Sequence, residues 1–312
     1  MQASHGLAPV FDDRNLVSHA GLVPVLQLAD RAGLTELIGE HSSVLSANVV
    51  PKARTVLAGM LAGADSIDDL DLLRAGGTER AIGAVRAPST VGTFLRSFTH
   101  GHVLQLGKVN RLLLRRLIGE VPALTGTTDG LVFVDMDDTI RQVHGYQKQA
   151  AAFGYSGVRG LNGLLVTVTG QDAVPVIAEA SLRRGNVRSG DNAAHHLTRA
   201  LKTVRATSPG RQVLTRADSA FCTHENVATA LSQNVWFSFT IPQWKTVETA
   251  IADIPETGWT RIEYPNAIYD EESGGVDQRR RSRRDPLHRV RVPPPERADR
   301  LPARRPTSET AG

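Results

Sequence analysis

The run VFVDMDDT, Val132 to Thr139, drives an apolar segment straight into three carboxylates. Unpaired carboxylates are costly to bury, so a strand of this kind has to carry its acids at or just beyond its end. Side chains alternate along a strand, which puts Asp135 and Asp137 on one face and Val134 and Met136 on the other. A second apolar segment, VLTRADSAF from Val213 to Phe221, ends in the same way at Asp218. Two neighbouring strands that each end in an acid make a hard-oxygen site suited to Mg2+ or Mn2+. In phosphoryl transfer such a site can hold two metals roughly 3.5–4 Å apart, one activating water or a 3′-hydroxyl and the other stabilising the leaving oxygen. Asp137 is then placed to bridge both ions, and Asp218 to bind one of them. A lone strand-end Asp is more often a cap or a solvated end. Two apolar strand–Asp units in a suitable element order argue for a site.

The elements that must position these acids are legible in the hydrophobic periodicity. From about Leu16 to Gly119 the chain reads as helical. Leu22, Val25, Leu26 and Ala29 share one helical face ahead of Gly33, and Pro51 is placed to open a helix bearing Val56, Leu57, Met60 and Leu61. Ser66, with Asp69 three residues on, suits the cap of a short helix. Pro88 opens a segment with Val91, Phe94, Leu95 and Phe98 on one stripe; after Gly101 the stripe resumes with Val103, Leu106, Leu113 and Leu117. This last pair reads either as a helix-turn-helix with Arg111, Arg115 and Arg116 facing phosphates, or as a plain bundle with a solvated basic face.

After the turn-rich stretch Thr125 to Gly130 the period changes. LVFVDMD, NGLLVTVTG, AVPVIAEASL, RQVLTRADS and VWFSFTIP read as strands, with helical stretches at Asp191 to Ala206 and His224 to Gln233. Three strands, helix, strand, helix, strand is an α/β order that suits a mixed sheet covered by helices, as in a ribonuclease-H-like fold. The expected division is a helical, DNA-binding domain at 1–124, an incomplete ribonuclease-H-like core at 125–273 and a tail at 274–312.

The tail differs in kind. From Gly275 to Gly312 there are 11 Arg, no Lys and 5 acids, a net of +6, together with 6 Pro and no aromatic residue. The first 274 residues, with 25 basic and 27 acidic residues, carry −2, so the basic balance belongs to the tail and says little about nucleic-acid binding by the body. Composition marks the tail as disordered. Cys222 is the only cysteine, which excludes an internal disulfide framework and fits a reducing cytoplasm. No signal peptide and no apolar stretch long enough to cross a bilayer is apparent, so a cytoplasmic protein without a membrane partner is expected.

Several runs together resemble a known family. VDMDDTIRQVHGYQKQAAAFGYSGVRGLNGLL (Val134 to Leu165) looks like the region around the first catalytic Asp of bacterial insertion-sequence transposases with a DDE domain. SLRRGNVRSGDNAAHHL (Ser181 to Leu197) and LTRADSAF (Leu214 to Phe221) resemble the segments leading to the second, and FDDRNLVSHAGLVPVLQLADRAGL is similar in style to the family's N-terminal part. The likeness covers roughly Val10 to Ser273. It implies Mg2+-dependent (or Mn2+-dependent) cleavage and strand transfer on double-stranded DNA, with the enzyme acting as a homo-oligomer on paired ends. By the same resemblance Asp137 is the first catalytic acid and Asp218 the second, with Asp135 the next choice for the first role. His144, Gly145 and Tyr146 belong to the motif without assigned chemistry. The family's third acid is a Glu far beyond the last strand, and nothing after NAIYDEESG matches it; Glu271 and Glu272 lie in a polar loop. This predicts a chain ended early or frameshifted, and defective in catalysis.

Two other readings compete. DMDDT fits a DxDxT phosphohydrolase signature, with Asp135 as nucleophile and Asp137 as general acid/base, but the downstream acid pair is missing after Gly190-Asp191. A non-catalytic DNA-binding remnant is the other. Adjacent His195 and His196 face different sides of a helix, Cys222 reads as a buried inert thiol, and Trp236, Trp244 and Trp259 read as packing residues.

Overall fold

The computed structural model describes residues 13–126, 130–145, 147–258, 268–270 and 275–277. The chain divides into two compact units, Met1–Ile241 and Pro242–Gly312. Among the described residues of the first unit six α-helices precede the sheet: α1 (Leu22–Arg31), α2 (Leu34–His41), α3 (Val49–Leu61), α4 (Thr78–Ile82), α5 (Pro88–Arg96) and α6 (His100–Glu120). Gly33, at φ +79°, makes the sharp turn between α1 and α2, and Pro88 opens α5. The short helix expected after Ser66 is a 3-10 helix, Asp68–Arg74. Its N-cap is Ile67 and not Ser66; Asp69, in the first turn, reaches back to accept from the backbone N–H groups of Asp65 and Ser66 and from the Ser66 hydroxyl. Gly101 makes no break: Thr99 and His102 form a capping box, so Gly101 sits in the first turn of α6.

The sheet begins with β1 (Val132–Gln142), followed by β2 (Ala152–Phe153), β3 (Arg159–Thr169) and β4 (Val176–Arg184). Then come α7 (Ala193–Thr207), β5 (Val213–Ala217), α8 (His224–Ser232) and β6 (Trp236–Phe239). β3 runs antiparallel to β1, to β4 and to the short β2, whereas β5 is parallel to β1 and β6 parallel to β5. The main strand order is therefore β4-β3-β1-β5-β6, the mixed ribonuclease-H-like sheet that the element order predicts.

One face of this sheet is dry. Val132, Val134 and Met136 of β1, Leu164, Val166 and Val168 of β3 and Val213 of β5 pack against Leu197, Ala200, Leu201 and Val204 of α7, Ala230 of α8, and Leu114 and Ile118 of α6. α6 serves two cores, because Val109, one turn earlier, packs with Leu34, Leu37 and Ile38 of α2. It is thus a wall of the sheet as well as a member of the helical core. Arg111 turns inward to Glu179 of β4 at 2.6 Å and so does not face solvent as expected; Arg116, exposed, pairs with Glu36 at 2.9 Å, and Arg115 is exposed.

Glu179 is 1% exposed, turned inward at a β-bulge where the register shifts between Val166 and Thr167. His196 of α7 bonds it at 3.1 Å and Arg199 lies at 3.5 Å. Burial alone would raise this carboxyl, but the His196 hydrogen bond and the Arg111 and Arg199 charges outweigh it and hold Glu179 below the usual carboxylate range.

At the far end of the sheet three backbones converge too closely for side chains. A Cβ on Gly185 would lie 2.0 Å from the Gly160 carbonyl oxygen and 2.6 Å from that of Ala152, and one on Gly154 would lie 2.5 Å from the Gly185 carbonyl oxygen. The glycines of the AAFGYSGVRG and RRGN runs are therefore steric requirements.

The second unit holds α9 (Lys245–Ala252) and an antiparallel pair, β7 (Ile268–Asp270) with β8 (Gly275–Asp277). The stretch expected to be structureless from 274 thus opens with a strand; residues 278–312, and Glu271 and Glu272, lie outside the described residues. Among the described residues no helix is long and apolar enough to cross a membrane.

Two outcomes follow from this packing. Gly185→Ala should cost about 1–3 kcal/mol in urea unfolding, whereas Gly119→Ala on α6, where a Cβ meets nothing within 4 Å, should cost nothing. Glu179→Gln leaves Arg111 buried without its counter-charge and should cost about 3–5 kcal/mol at neutral pH. Since the folded carboxyl sits below its ordinary value of 4.5, its stabilisation is complete above pH 4.5 and is lost as pH falls through the depressed value. Melts of the wild type and Glu179→Gln from pH 7 to 3 should therefore converge at the acid end.

Candidate active site

The parallel register of β1 and β5 ends at Met136 beside Ala217. The next residue along each chain is an aspartate: Asp218 follows the end of β5, whereas Asp137 lies within β1, still paired with Leu165 of β3, so the acids of β1 sit inside the strand and not at its end as expected. β5 stops there because Asp218 turns the chain into a 3-10 turn, Ser219–Phe221, its Oδ1 accepting the Ala220 N–H at 3.0 Å. β1 does not stop. It runs on to Gln142 along β3 alone, so its edge from Asp137 onward is no longer paired to β5. Asp137 and Asp218 are both exposed; Asp137 accepts the Asp138 N–H at 2.8 Å, and among the described residues neither is ion-paired.

Asp135 has a different fate. On the same face of β1 as Asp137, it lies opposite Arg216 of β5, which donates from Nε at 2.6 Å and from Nη2 at 2.7 Å. That hydrogen-bonded pair pushes the Arg216 guanidinium above its ordinary value, and the guanidinium also lies 4.3 Å from the centre of the Phe133 ring. With both oxygens on one guanidinium, Asp135 is committed as a cross-strand partner. This also weighs against the DxDxT reading, which needs Asp135 free as a nucleophile.

The third acid of the cluster was not singled out by its sequence context, although alternation alone puts Asp138 on the covered face with Met136 and Val134. Its carboxylate is 7% exposed and accepts from Arg183 at 2.6 Å, Asn162 at 2.7 Å and the Ser189 hydroxyl at 3.0 Å. Arg183 extends the network, donating to Asn162 Oδ1 and to the carbonyl oxygens of Ser189 and Asp191. Burial pulls this guanidinium below its ordinary value, and Asp138 opposes that pull. Much of the RGLNGLL and SLRRGNVRSGDN runs is therefore structural wiring.

The remaining singled-out residues are scattered. His144 is exposed, the Gly145 carbonyl accepts from Arg159 at 2.5 Å, and Tyr146 lies outside the described residues. His196 is buried on Glu179 while His195 is exposed beside Arg199. Cys222 is half-buried, and burial raises its thiol, as suits an inert cysteine. Trp236 and Trp244 are exposed rather than packed, and Trp259 lies outside the described residues. Among the described residues no group of three or more His, Cys, Asp or Glu side chains comes together to hold a metal ion.

Residues 4–281 match the model of the family described as transposase DDE domain group 1. No match to the chain is found among curated proteins. Among solved structures the chain is similar to the Mos1 transposase paired-end complex with left transposon end, at 12% identity and a TM-score of 0.23, over 60% of this chain and 57% of that one. It is also similar to a piggyBac transposase synaptic complex with hairpin DNA, at 11% identity and a TM-score of 0.35, over 78% of this chain and 55% of that one. The chain thus spans less than two thirds of either of these two.

The site geometry separates the acids by their cost of removal. Asp138→Ala, which strands a buried Arg183, should cost about 3–5 kcal/mol in chemical unfolding. Asp137→Ala, one residue earlier and exposed, should stay within about 0.5 kcal/mol of the wild type.

Proposed function

The chain belongs to the transposase DDE domain group 1 family, and from that premise we propose that it serves a bacterial insertion sequence as its end-binding transposase. The observation that carries the reading is that Asp137 and Asp218 each follow by one residue the last pair of the parallel strands β1 and β5 and neither is ion-paired among the described residues, while Asp135 and Asp138 are each held by an arginine. Two exposed carboxylates with oxygens to spare are the donor type that Mg2+ and Mn2+ take. Such a metal, when bound, supplies Lewis acidity for cleaving a phosphodiester and for joining a 3′-hydroxyl to target DNA. Asp137 and Asp218 would hold it, and the Ala220 N–H orients the Asp218 carboxylate for the task.

Double-stranded DNA is the proposed partner, with the protein acting as a multimer on paired element ends in the cytoplasm. The exposed face of the sheet offers a place for its backbone. Arg141 of β1, Leu161 of β3 and Arg184 of β4 lie in one cross-strand row, so both arginines project from the face that carries Asp137. Both are exposed, and neither is ion-paired among the described residues. Arg141 lies four residues, about 13 Å, beyond Asp137 along the strand, and Arg184 about 10 Å across from Arg141. Two cations in a row on one side of the site would hold phosphates and carry no sequence information.

With two carboxylates and no third ligand among the described residues, this chain by itself should bind metal weakly and cut DNA poorly.

Titration with Mn2+, followed by the paramagnetic signal of the free ion, tests the reading. Asp137→Asn and Asp218→Asn should each abolish binding and Asp135→Asn should leave it intact; binding unchanged in the first two sinks the assignment. On duplex DNA, Arg141→Gln and Arg184→Gln should each flatten the dependence of log affinity on log salt by about 1. Efficient cutting of end-containing DNA by the wild-type chain with Mg2+ would overturn its proposed weakness.

A further inference from the structure

Asp137 and Asp218 stand on different strands, and strand pairing between β1 and β5 has already ended where they begin. The pair Met136–Ala217 sets their backbones one residue earlier, but the Asp218 side also depends on the turn that follows β5, and a shared ion tolerates little variation in ligand spacing. An unbroken chain of contacts runs between them through the covered side of the sheet. It starts at the peptide that follows Asp137, whose N–H donates to Asp137 Oδ1 at 2.8 Å. That peptide belongs to Asp138, whose buried carboxylate takes Arg183 Nη2 at 2.6 Å. The same guanidinium, through Nη1, donates to the carbonyl oxygens of Ser189 at 3.2 Å and Asp191 at 2.9 Å, so it spans from β1 to the loop ahead of α7. Between those two carbonyls sits Gly190, packed so tightly on the turn after β5 that a Cβ would lie 3.0 Å from the Ala220 carbonyl oxygen. Ala220 is the residue whose N–H holds Asp218.

Resting on the reading of Asp137 and Asp218 as metal ligands, we propose that Arg183 is a positioning residue. Its fork fixes the loop at Gly190 against the Asp218 turn and thereby sets the spacing of the two carboxylates. The demand is for a planar guanidinium: one side chain has to serve a carboxylate, an amide and two carbonyls in fixed directions, which a lysine ammonium cannot do. It also demands that residue 190 have no Cβ.

The test uses the full chain and two readouts, Mn2+ affinity and peptide-level hydrogen exchange. Arg183→Lys and Gly190→Ala should each weaken Mn2+ binding roughly 10-fold or more, the usual effect of loosening a group that orients a ligand. Both should raise exchange in residues 186–192 and in residues 217–223. Leu26→Ala, in the core of the N-terminal helices, should lower the melting temperature and leave Mn2+ affinity unchanged. Wild-type Mn2+ affinity in Arg183→Lys, or exchange that rises at 186–192 alone, overturns the proposal and leaves Arg183 an ordinary core residue. Mn2+ binding that survives both Asp137→Asn and Asp218→Asn overturns the metal-site reading instead, and the clamp's role in metal positioning falls with it.

Discussion

A carboxylate buried without a cation costs more than a domain of this size can spare, and the covered face of this sheet carries two of them. Each recruits arginine from a distance. Glu179 draws Arg111 from α6 and Arg199 from α7, while Asp138 draws Arg183 from β4 and, through it, the loop before α7. These compensations decide where α6 lies, how the β4–α7 connection runs and which acids of the β1 cluster remain free. The arrangement at Asp137 and Asp218 is what is left once Asp135 and Asp138 have taken their arginines.

The element order and the end of β5 at Asp218 were legible because both depend on local pattern, whereas the continuation of β1 past Asp137 to Gln142 was not. Alternation along Val132 to Asp137, helical spacing in α7 and the Val213–Asp218 run each declare themselves within ten residues or so. What escaped the sequence depends on pairing over long separations. Arg111 looks like any basic residue on a helix, and nothing nearby reveals that its partner is a buried Glu 68 residues away. That is why Arg111, grouped by spacing with Arg115 and Arg116 as a basic face, proves to be an internal partner. Asp138 was obscured by its neighbours: period two separates it from Asp137, but only the β3 and β4 register brings Asn162 and Arg183 to its side. The exposed Trp236 ran against expectation because β6 forms the edge of the sheet, where an aromatic has fewer neighbours to pack on.

The family assignment and the geometry speak to different levels of the same conclusion. The family match covers most of the chain and names the class of enzyme, without choosing among four acids in two short runs. The hydrogen bonds distinguish them: one carboxylate is paired with an arginine across the strands, one is sealed in the interior, and two are not ion-paired among the described residues. Fold identity alone would not have separated them, since activity resides in the site and not in the architecture.

The double duty of α6 bears on how this protein can be taken apart. Val109 belongs to the helical core, Leu114 and Ile118 to the sheet's core, and Arg111 to the charge balance of β4. A cut at the apparent boundary near residue 124 would strip the sheet of one wall and leave Glu179 short of a cation. The helical part and the sheet therefore form one compact unit up to Ile241, and neither can be exchanged for another module without rebuilding the packing of the other.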